Sequence, residues 1–361
     1  CRYRLKNGNI VPLDDAGRAE IYQANEQMTL AALRVLAMAY STEPITNISE
    51  PEAALTFCCL VGMIDPPRPE ANAAIDKCRR AGVKVVMITG DHPNTARAIA
   101  RELGLSAGEP QLLMGPEIAE MSDEALQERI RHTDVFARTL PEHKLRIVKA
   151  FKRNDAIVAM TGDGVNDAPA LREAHVGIAM GITGTEVTKD AAGLVLLDDN
   201  FATLVSAVEE GRSIYANIRK AVRYLIAANI GEAFLMLAAV IYGLPGPLLP
   251  LQLLLLNLVG DGLPVVTLVN DPPSPGIMDN PPREAKETIF AENLGAKIVT
   301  RGLILGVFST MLYAWRLGRG SLAAARTMVF AHLALSQLLY IFECRREEQT
   351  GKAKLLSNKP L

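Results

Sequence analysis

An eleven-residue run, Thr161-Gly162-Asp163-Gly164-Val165-Asn166-Asp167-Ala168-Pro169-Ala170-Leu171, concentrates groups able to handle a phosphate. Glycines 162 and 164 let backbone approach a bound group closely. Asp163 and Asp167 are hard oxygen ligands, and Mg2+ takes one or two carboxylates together with water and phosphate oxygens. Asn166 can donate its amide to a phosphoryl oxygen. Lys144 brings a compact positive charge. Thr89, in Thr89-Gly90-Asp91, offers a hydroxyl and a backbone N–H at a helix start. Positioning and electrostatic stabilisation are what phosphoryl transfer needs. Taken singly, an Asp-Gly is an ordinary turn and a lysine an ordinary solvated charge. The chain has no G-x-x-x-x-G-K-[ST], which excludes a P-loop nucleotidase, and no G-x-G-x-x-G after a strand.

A second polar set lies in apolar surroundings. Asn229 and Glu232 are close enough along one helix to share a face, and so are Asn257 and Asp261 on the next. An ionisable side chain in mid-span costs roughly 2.5–3.5 kcal/mol on insertion scales, so a carboxyl there is a functional candidate by default. Two facing helices, each bringing an amide and a carboxylate, would make an oxygen-rich cage. Gly260, Gly262 and Pro264 loosen the second helix, so that freed carbonyls can join it. Ca2+ takes about six to eight oxygens. The plainer reading is hydrogen bonding between helices.

Positioning the first set calls for a parallel α/β sheet. Segments 83–88, 134–137, 156–160, 176–179 and 193–197 read as strands. Segments 69–81, 93–103 and 141–152 read as helices, each opening on a proline. Such alternation implies helices on both sheet faces and ligands at the carboxyl ends of the strands, where residues 89–91, Arg138 and residues 161–164 fall. Positioning the second set calls for a bilayer. Apolar windows of about 20 residues, the length of a span, cover 221–244, 247–269 and 297–315, with a shorter one at 327–342. The Gly243–Pro247 turn makes the first two a hairpin. Arg212, Arg219, Lys220 and Arg223 precede the first span. Arg283, Lys286, Lys297 and Arg301 lie between the second and third. Arg345, Arg346, Lys352 and Lys354 follow the fourth. The positive-inside rule assigns all three groups to the cytoplasm, whereas Arg316, Arg319 and Arg326 run against it.

Composition agrees with this two-part organisation. The 361 residues allow two or three domains, and 49% hydrophobic with 22% charged residues excludes a disordered chain. A net charge of -2 removes the electrostatic case for nucleic acid, and 5% aromatics argue against base-stacking platforms. Five cysteines without a C-x-x-C fit neither a disulfide framework nor a zinc site.

The 161–171 run is similar to the hinge signature of the P-type ATPases, within the haloacid-dehalogenase-like superfamily, and the resemblance extends over essentially the whole chain. Met87-Ile88-Thr89-Gly90-Asp91 resembles the family's second phosphate motif. Phe136-Ala137-Arg138 with Pro141-Glu142-His143-Lys144 resembles its nucleotide-Arg and phosphate-Lys segment. Asp65-Pro66-Pro67-Arg68 resembles the hinge between nucleotide and phosphorylation domains, and residues 29–40 resemble the end of the nucleotide domain. The resemblance implies that Asp163 and Asp167 bind Mg2+, that Asn166 contacts the phosphoryl group, and that Arg34, Thr89, Gly90, Asp91, Arg138 and Lys144 line ATP and its phosphate. Lys144, Thr89, Asp163 and Asp167 are the implied catalytic set. The implied architecture is an α/β Rossmann-like domain followed by an α-helical transmembrane domain. Residues 1–60 would be a remnant of the nucleotide domain, 61–208 phosphorylation domain, 209–345 stalk and fifth to eighth membrane helices, and 346–361 a cytoplasmic tail.

Residues 257–264, 229–232 and 279–283 resemble the sixth-helix ligands, the fifth-helix pair and the following loop of type II calcium pumps. This implies Ca2+ as the transported ion, held by Asn229, Glu232, Asn257, Asp261 and Gln337, in a multi-pass protein of the plasma membrane with its α/β domain cytoplasmic. Two positions depart from two-ion pumps: Gly260 replaces a ligating Thr, and Gln337 a ligating Glu. One Ca2+ per cycle is expected, with Glu232 and Asp261 as carriers of exchanged protons. The family's D-K-T-G-T nucleophile motif and T-G-E motif are not in the sequence, nor are its fourth and last two membrane helices, so the N-terminal part of the same pump is an expected partner and the chain alone is expected not to turn over. The alternatives are a pump for Na+, K+ or H+, a non-enzymatic truncated product, and a membrane-anchored phosphatase using Asp198 or Asp199.

Overall fold

The computed structural model describes residues 1–30, 33–41, 55–63, 66–284 and 286–346, with the side chains of Arg34 and Arg346 excepted. Ala31 and Ala32 of the 29–40 segment, Asp65, the Arg34 side chain and tail residues 347–361 lie outside the described residues. The chain divides into two compact units, Cys1–Val205 and Ser206–Leu361.

In the first unit, β1 (Tyr3–Lys6) and β2 (Asn9–Pro12) form a hairpin turned at Asn7-Gly8, both with positive φ, as a tight two-residue turn requires. After α1 (Asp15–Leu30), β3 (Arg34–Tyr40) pairs antiparallel with β4 (Thr56–Met63), and β4 runs parallel to β1, giving the order β2-β1-β4-β3. The strand-helix alternation follows: α2 (Pro69–Arg80), β5 (Met87–Ile88), α3 (Pro93–Glu102), β6 (Leu112–Met114), α4 (Gly115–Glu120), α5 (Asp123–Arg129), β7 (Val135–Ala137), α6 (Pro141–Arg153), β8 (Ala159–Gly162), α7 (Ala168–Glu173), β9 (Val176–Met180), α8 (Glu186–Ala191) and β10 (Leu194–Leu196).

These strands form two parallel three-stranded sheets, β5-β7-β6 and β8-β9-β10. Among the described residues β5 pairs only with β7 and β8 only with β9, so the expected single sheet is open in the middle. Adjacent residues of α6 serve both cores: Ile147 packs with Phe136, Leu113 and Ile118, and Val148 packs with Met160 and Leu171. Ile88 touches both clusters. The strand expected at 83–88 shrinks to Met87–Ile88, because the Val83 N–H closes the end of α2 on Cys78 O at 2.9 Å and Lys84 Nζ reaches Arg131 O at 2.9 Å. β6 was not foreseen: three residues carry too little periodicity to be read.

The second unit is helical. Among the described residues four helices are long and apolar enough to cross a membrane: α9 (Phe201–Ile241), the Pro250–Val269 helix, α12 (Leu294–Leu317) and α13 (Leu322–Arg346). The Pro250–Val269 helix consists of α10 (Pro250–Leu255), a π-helical stretch Leu256–Asp261 and α11 (Gly262–Val269). Side chains lock both ends of the bundle. At one end Tyr313 Oη donates to Pro245 O (2.7 Å) and Arg326 Nε to Gly246 O (2.9 Å). At the other, buried Asp271 accepts from Lys220 Nζ (3.1 Å) and Arg345 Nε (2.9 Å), and Arg219 pairs with Glu292 (2.9 Å). Several basic residues counted as loop charges are therefore held in ion pairs. Buried pairs of this kind are costly to break from one side. Two apolar clusters fill the interior, one around Tyr224, Leu268, Ile298 and Tyr340, the other around Leu235, Leu256, Tyr313 and Leu333.

Candidate functional site

The phosphate residues of the first unit gather at the carboxyl ends of the strands. β5 delivers Thr89, whose hydroxyl donates to Asp91 Oδ2 (2.8 Å) and accepts from Asp91 N (3.1 Å). β7 delivers Arg138 and Thr139. Arg138 N donates to Asp91 O and Thr139 N to Thr89 O, both at 3.1 Å, so the two loops are one frame. Arg138 is exposed and sits at φ 50, a conformation uncommon for a residue with a side chain and frequent at functional loops. The Thr89 N–H expected to face phosphate is spent on Phe136 O (2.9 Å), because it continues the β5–β7 ladder; the helix start lies later, at Pro93. Thr139 was missed because nothing in its local sequence marks it.

β8 delivers the second cluster. Lys144 Nζ lies 2.5 Å from Asp167 Oδ1, and Gly164 N approaches Asp167 Oδ2 at 3.4 Å. Asp167 is buried, with one oxygen on Lys144 Nζ and the other near Gly164 N, so it supports Lys144 from within the chain. Gly162 serves this packing: a Cβ there would stand 2.5 Å from Asp167 Cβ. Asp163 and Asn166 are exposed, and the Asp163 carbonyl is pinned by Thr185 N (3.0 Å) and Thr188 Oγ1 (3.1 Å). The Asp163 carboxylate faces outward and fits a hard cation bound with phosphate.

Asp198 and Asp199, the alternative nucleophiles, are structural acceptors. Asp199 takes bonds from Ile182 N (3.0 Å), Thr183 N and Thr183 Oγ1 (both 2.8 Å). Desolvation pushes its pKa up, but these donors together with the Gly181 N–H outweigh it and bring the carboxyl down to about 2. Asp198 accepts from Thr203 Oγ1 (2.6 Å) and Asn200 N (3.1 Å), chiefly the former holding it below the usual carboxylate range against desolvation.

In the second unit a polar layer separates the two apolar clusters. Glu232 of α9, Asp261 and Gln337 of α13 are all buried. Gln337 Nε2 donates to Glu232 Oε1 at 2.9 Å. Both oxygens of Asp261 and Oε1 of Gln337 are buried without a hydrogen-bond partner among the described residues. Gly260 abuts this layer, and an added Cβ would stand 2.8 Å from Gln337 Oε1. The two departures from the two-ion pattern are thus in contact with each other.

The amides behave differently. Asn229 and Asn257 are exposed in this chain, each donating back to the carbonyl four residues earlier, Leu225 O (2.8 Å) and Leu253 O (3.0 Å). Neither shares the buried face of its carboxylate. Three residues of α-helix turn the chain by about 300°, enough to put Asn229 on the edge of the face. Between Asn257 and Asp261 the π-turn, with its i→i+5 pattern, replaces α spacing. Pro264 has no N–H to return to Gly260 O, the break anticipated from sequence. The freed carbonyl accepts from Tyr224 Oη (2.7 Å). Tyr224 was missed, although a phenol within an apolar span needs a polar partner and so announces one.

Comparison with known proteins agrees with both halves. Residues 6–175 match the haloacid dehalogenase-like hydrolase family, and residues 245–361 match the C-terminus of cation transporting ATPases. The chain is 47% identical, over 94% of its length, to a calcium-transporting ATPase of Bacillus subtilis, of which it covers 39%. It is 42% identical, over its whole length, to calcium-transporting ATPase 1 of Bacillus cereus, covering 43% of that protein. A cation-transporting ATPase of Synechocystis is 42% identical over 93% of the chain, with 38% of its own length covered. The chain therefore spans about two fifths of the length of these relatives. A dehalogenase-like α/β unit with phosphate residues at its strand ends, followed by membrane-length helices that enclose unpartnered carboxylate oxygens, places this chain in the family of cation-transporting P-type ATPases.

Proposed function

We propose that the chain supplies the phosphate cradle and part of the ion path of an ATP-driven pump that moves Ca2+ across a membrane through an aspartyl-phosphate. One observation carries this reading: Asp261, 2% exposed and closing the π-turn whose Gly260 abuts Gln337 Oε1, keeps two oxygens without a partner among the described residues. Buried oxygens without donors are costly unless a cation takes them. The relatives named for calcium transport support Ca2+ as that cation. Gly260 brings no hydroxyl and Gln337 no carboxylate, which supports one Ca2+ per cycle.

In the α/β unit, Asp163 and Asp167 are the residues to hold Mg2+, which when bound would neutralise charge on the phosphoryl oxygens. Lys144, steadied by Asp167, balances phosphate charge. The Thr89 hydroxyl and Asn166 orient the phosphoryl group, and Arg138 and Arg34 meet the nucleotide. The nucleophilic aspartate belongs to a D-K-T-G-T segment that this sequence does not contain. β5 and β8 each pair on one side only among the described residues and both end in phosphate motifs, which supports a strand from that segment joining the two sheets. The basic groups at the Lys220–Arg345 end of the helices support a cytoplasmic α/β unit, and the plasma membrane is the membrane we propose.

The test is phosphoenzyme formation from ATP by the full-length protein at submicromolar Ca2+. Asp261→Asn is expected to abolish the Ca2+-dependent signal. Phosphorylation indifferent to Ca2+, driven by Na+ or K+, or normal in the variant, would refute the assignment.

A further inference from the structure

Arg316, Arg319 and Arg326, which run against the positive-inside rule, take no part in the transport reading. They lie at the end of the helical unit where α12 turns into α13, joined to the α9–α10 turn by the Arg326–Gly246 bond. No Asp or Glu occurs between Glu292 and Glu343, or between Glu232 and Asp261, so this end of the unit is positive without compensation. Arg319 stacks its guanidinium 4.9 Å over the ring of Trp315, the chain's single tryptophan, and Arg316 folds back against Gly320. Trp315 is 50% exposed, and tryptophan at the end of a span sits at headgroup depth.

The helix below completes the picture. Ile304, Phe308, Met311 and Trp315 recur at α-helical spacing on one face of α12, all exposed, and Arg319 continues the same line. An apolar track that ends in an aromatic ring and guanidinium forks matches an acyl chain followed by a phosphodiester, which arginine binds with paired N–H donors. We propose that this end of the molecule is a binding site for an anionic phospholipid, its headgroup phosphate on Arg316 and Arg319 and its acyl chain along Ile304–Trp315. Free phosphate shares the headgroup's chemistry, but the apolar track has no use for it.

The single tryptophan provides the readout. The chain is reconstituted in phosphatidylcholine vesicles containing equal fractions of either brominated phosphatidylglycerol or brominated phosphatidylcholine, and Trp315 quenching is measured. Brominated phosphatidylglycerol is expected to associate roughly fivefold or more better, since a single arginine near an anionic surface contributes about that factor. Arg316→Gln with Arg319→Gln should bring the two lipids to parity, while Arg319→Lys keeps most of the preference. Arg319→Gln alone, an exposed position that closes no loop, gives the same reading should the double variant misfold. Equal quenching in the unsubstituted chain, or an unchanged preference in either Gln variant, overturns the site. Inorganic phosphate that restores parity at millimolar concentration would show a soluble-anion site and overturn the lipid assignment. None of these outcomes depends on the transported ion.

Discussion

Replacing Gly260 by alanine adds one methyl group where the structure has no room for it. Its Cβ would stand 2.8 Å from Gln337 Oε1. The far end of a glutamine usually yields cheaply, but Gln337 is 1% exposed and its Nε2 is bonded to Glu232 at 2.9 Å. If the carboxamide stays, the overpacked contact costs about 1–3 kcal/mol. If it rotates, it loses a hydrogen bond to a carboxyl group, worth about 1.5–3 kcal/mol. Removing a glycine from a helix returns up to about 1 kcal/mol. The net expectation for Gly260→Ala is therefore about 1–2 kcal/mol of destabilisation. In a Gln337→Ala background the obstacle is gone and only the backbone gain remains, so the same substitution should become neutral or stabilising. The coupling between the two positions is then about 2 kcal/mol. Denaturant unfolding of the four variants in lipid nanodiscs, with Ca2+ chelated, measures it directly. Additivity within about 0.5 kcal/mol, the limit for independent sites, would show that the two residues do not share space.

Two further outcomes follow from the α/β unit. Lys144→Met strands the Asp167 carboxylate, which has only 7% of its side chain exposed. Loss of a fully buried partner costs about 3–5 kcal/mol, and the 20% exposure of Lys144 lowers the expectation to about 2 kcal/mol in urea unfolding, relieved by adding Asp167→Asn. Asp199, brought down to about 2 from an ordinary aspartate value, stabilises the native state fully above about pH 4 and loses that contribution as pH falls toward 2. Unfolding midpoints measured between pH 5 and pH 2.5 should therefore fall less steeply in Asp199→Ala than in the unsubstituted chain, and equal slopes would show that the Ile182–Thr183 anchor does not hold its charge.

Local features were legible from the chain itself. The 161–171 run, the prolines opening α2, α3 and α6, and the four apolar windows each lie within a few helical turns of sequence, so spacing and hydropathy suffice to place them. The burial of Glu232 and Asp261 in the helical bundle followed from the cost of a carboxyl in an apolar span. Partnerships across the sequence were not legible. Gln337 meets Glu232 across 105 positions, and Gly260 faces Gln337. Asp167 turns inward to Lys144, and Tyr224 takes the carbonyl that Pro264 releases. Two open sheets stand where one was expected, since pairing at a strand edge depends on which strand lies beside it. The sequence alone determined which groups are available and on which elements they ride, because propensity and periodicity are short-range. Only the tertiary structure decided which of those groups point at one another. A π-turn or an edge position rotates a side chain by a fraction of a turn, and only the packed neighbours fix the resulting direction.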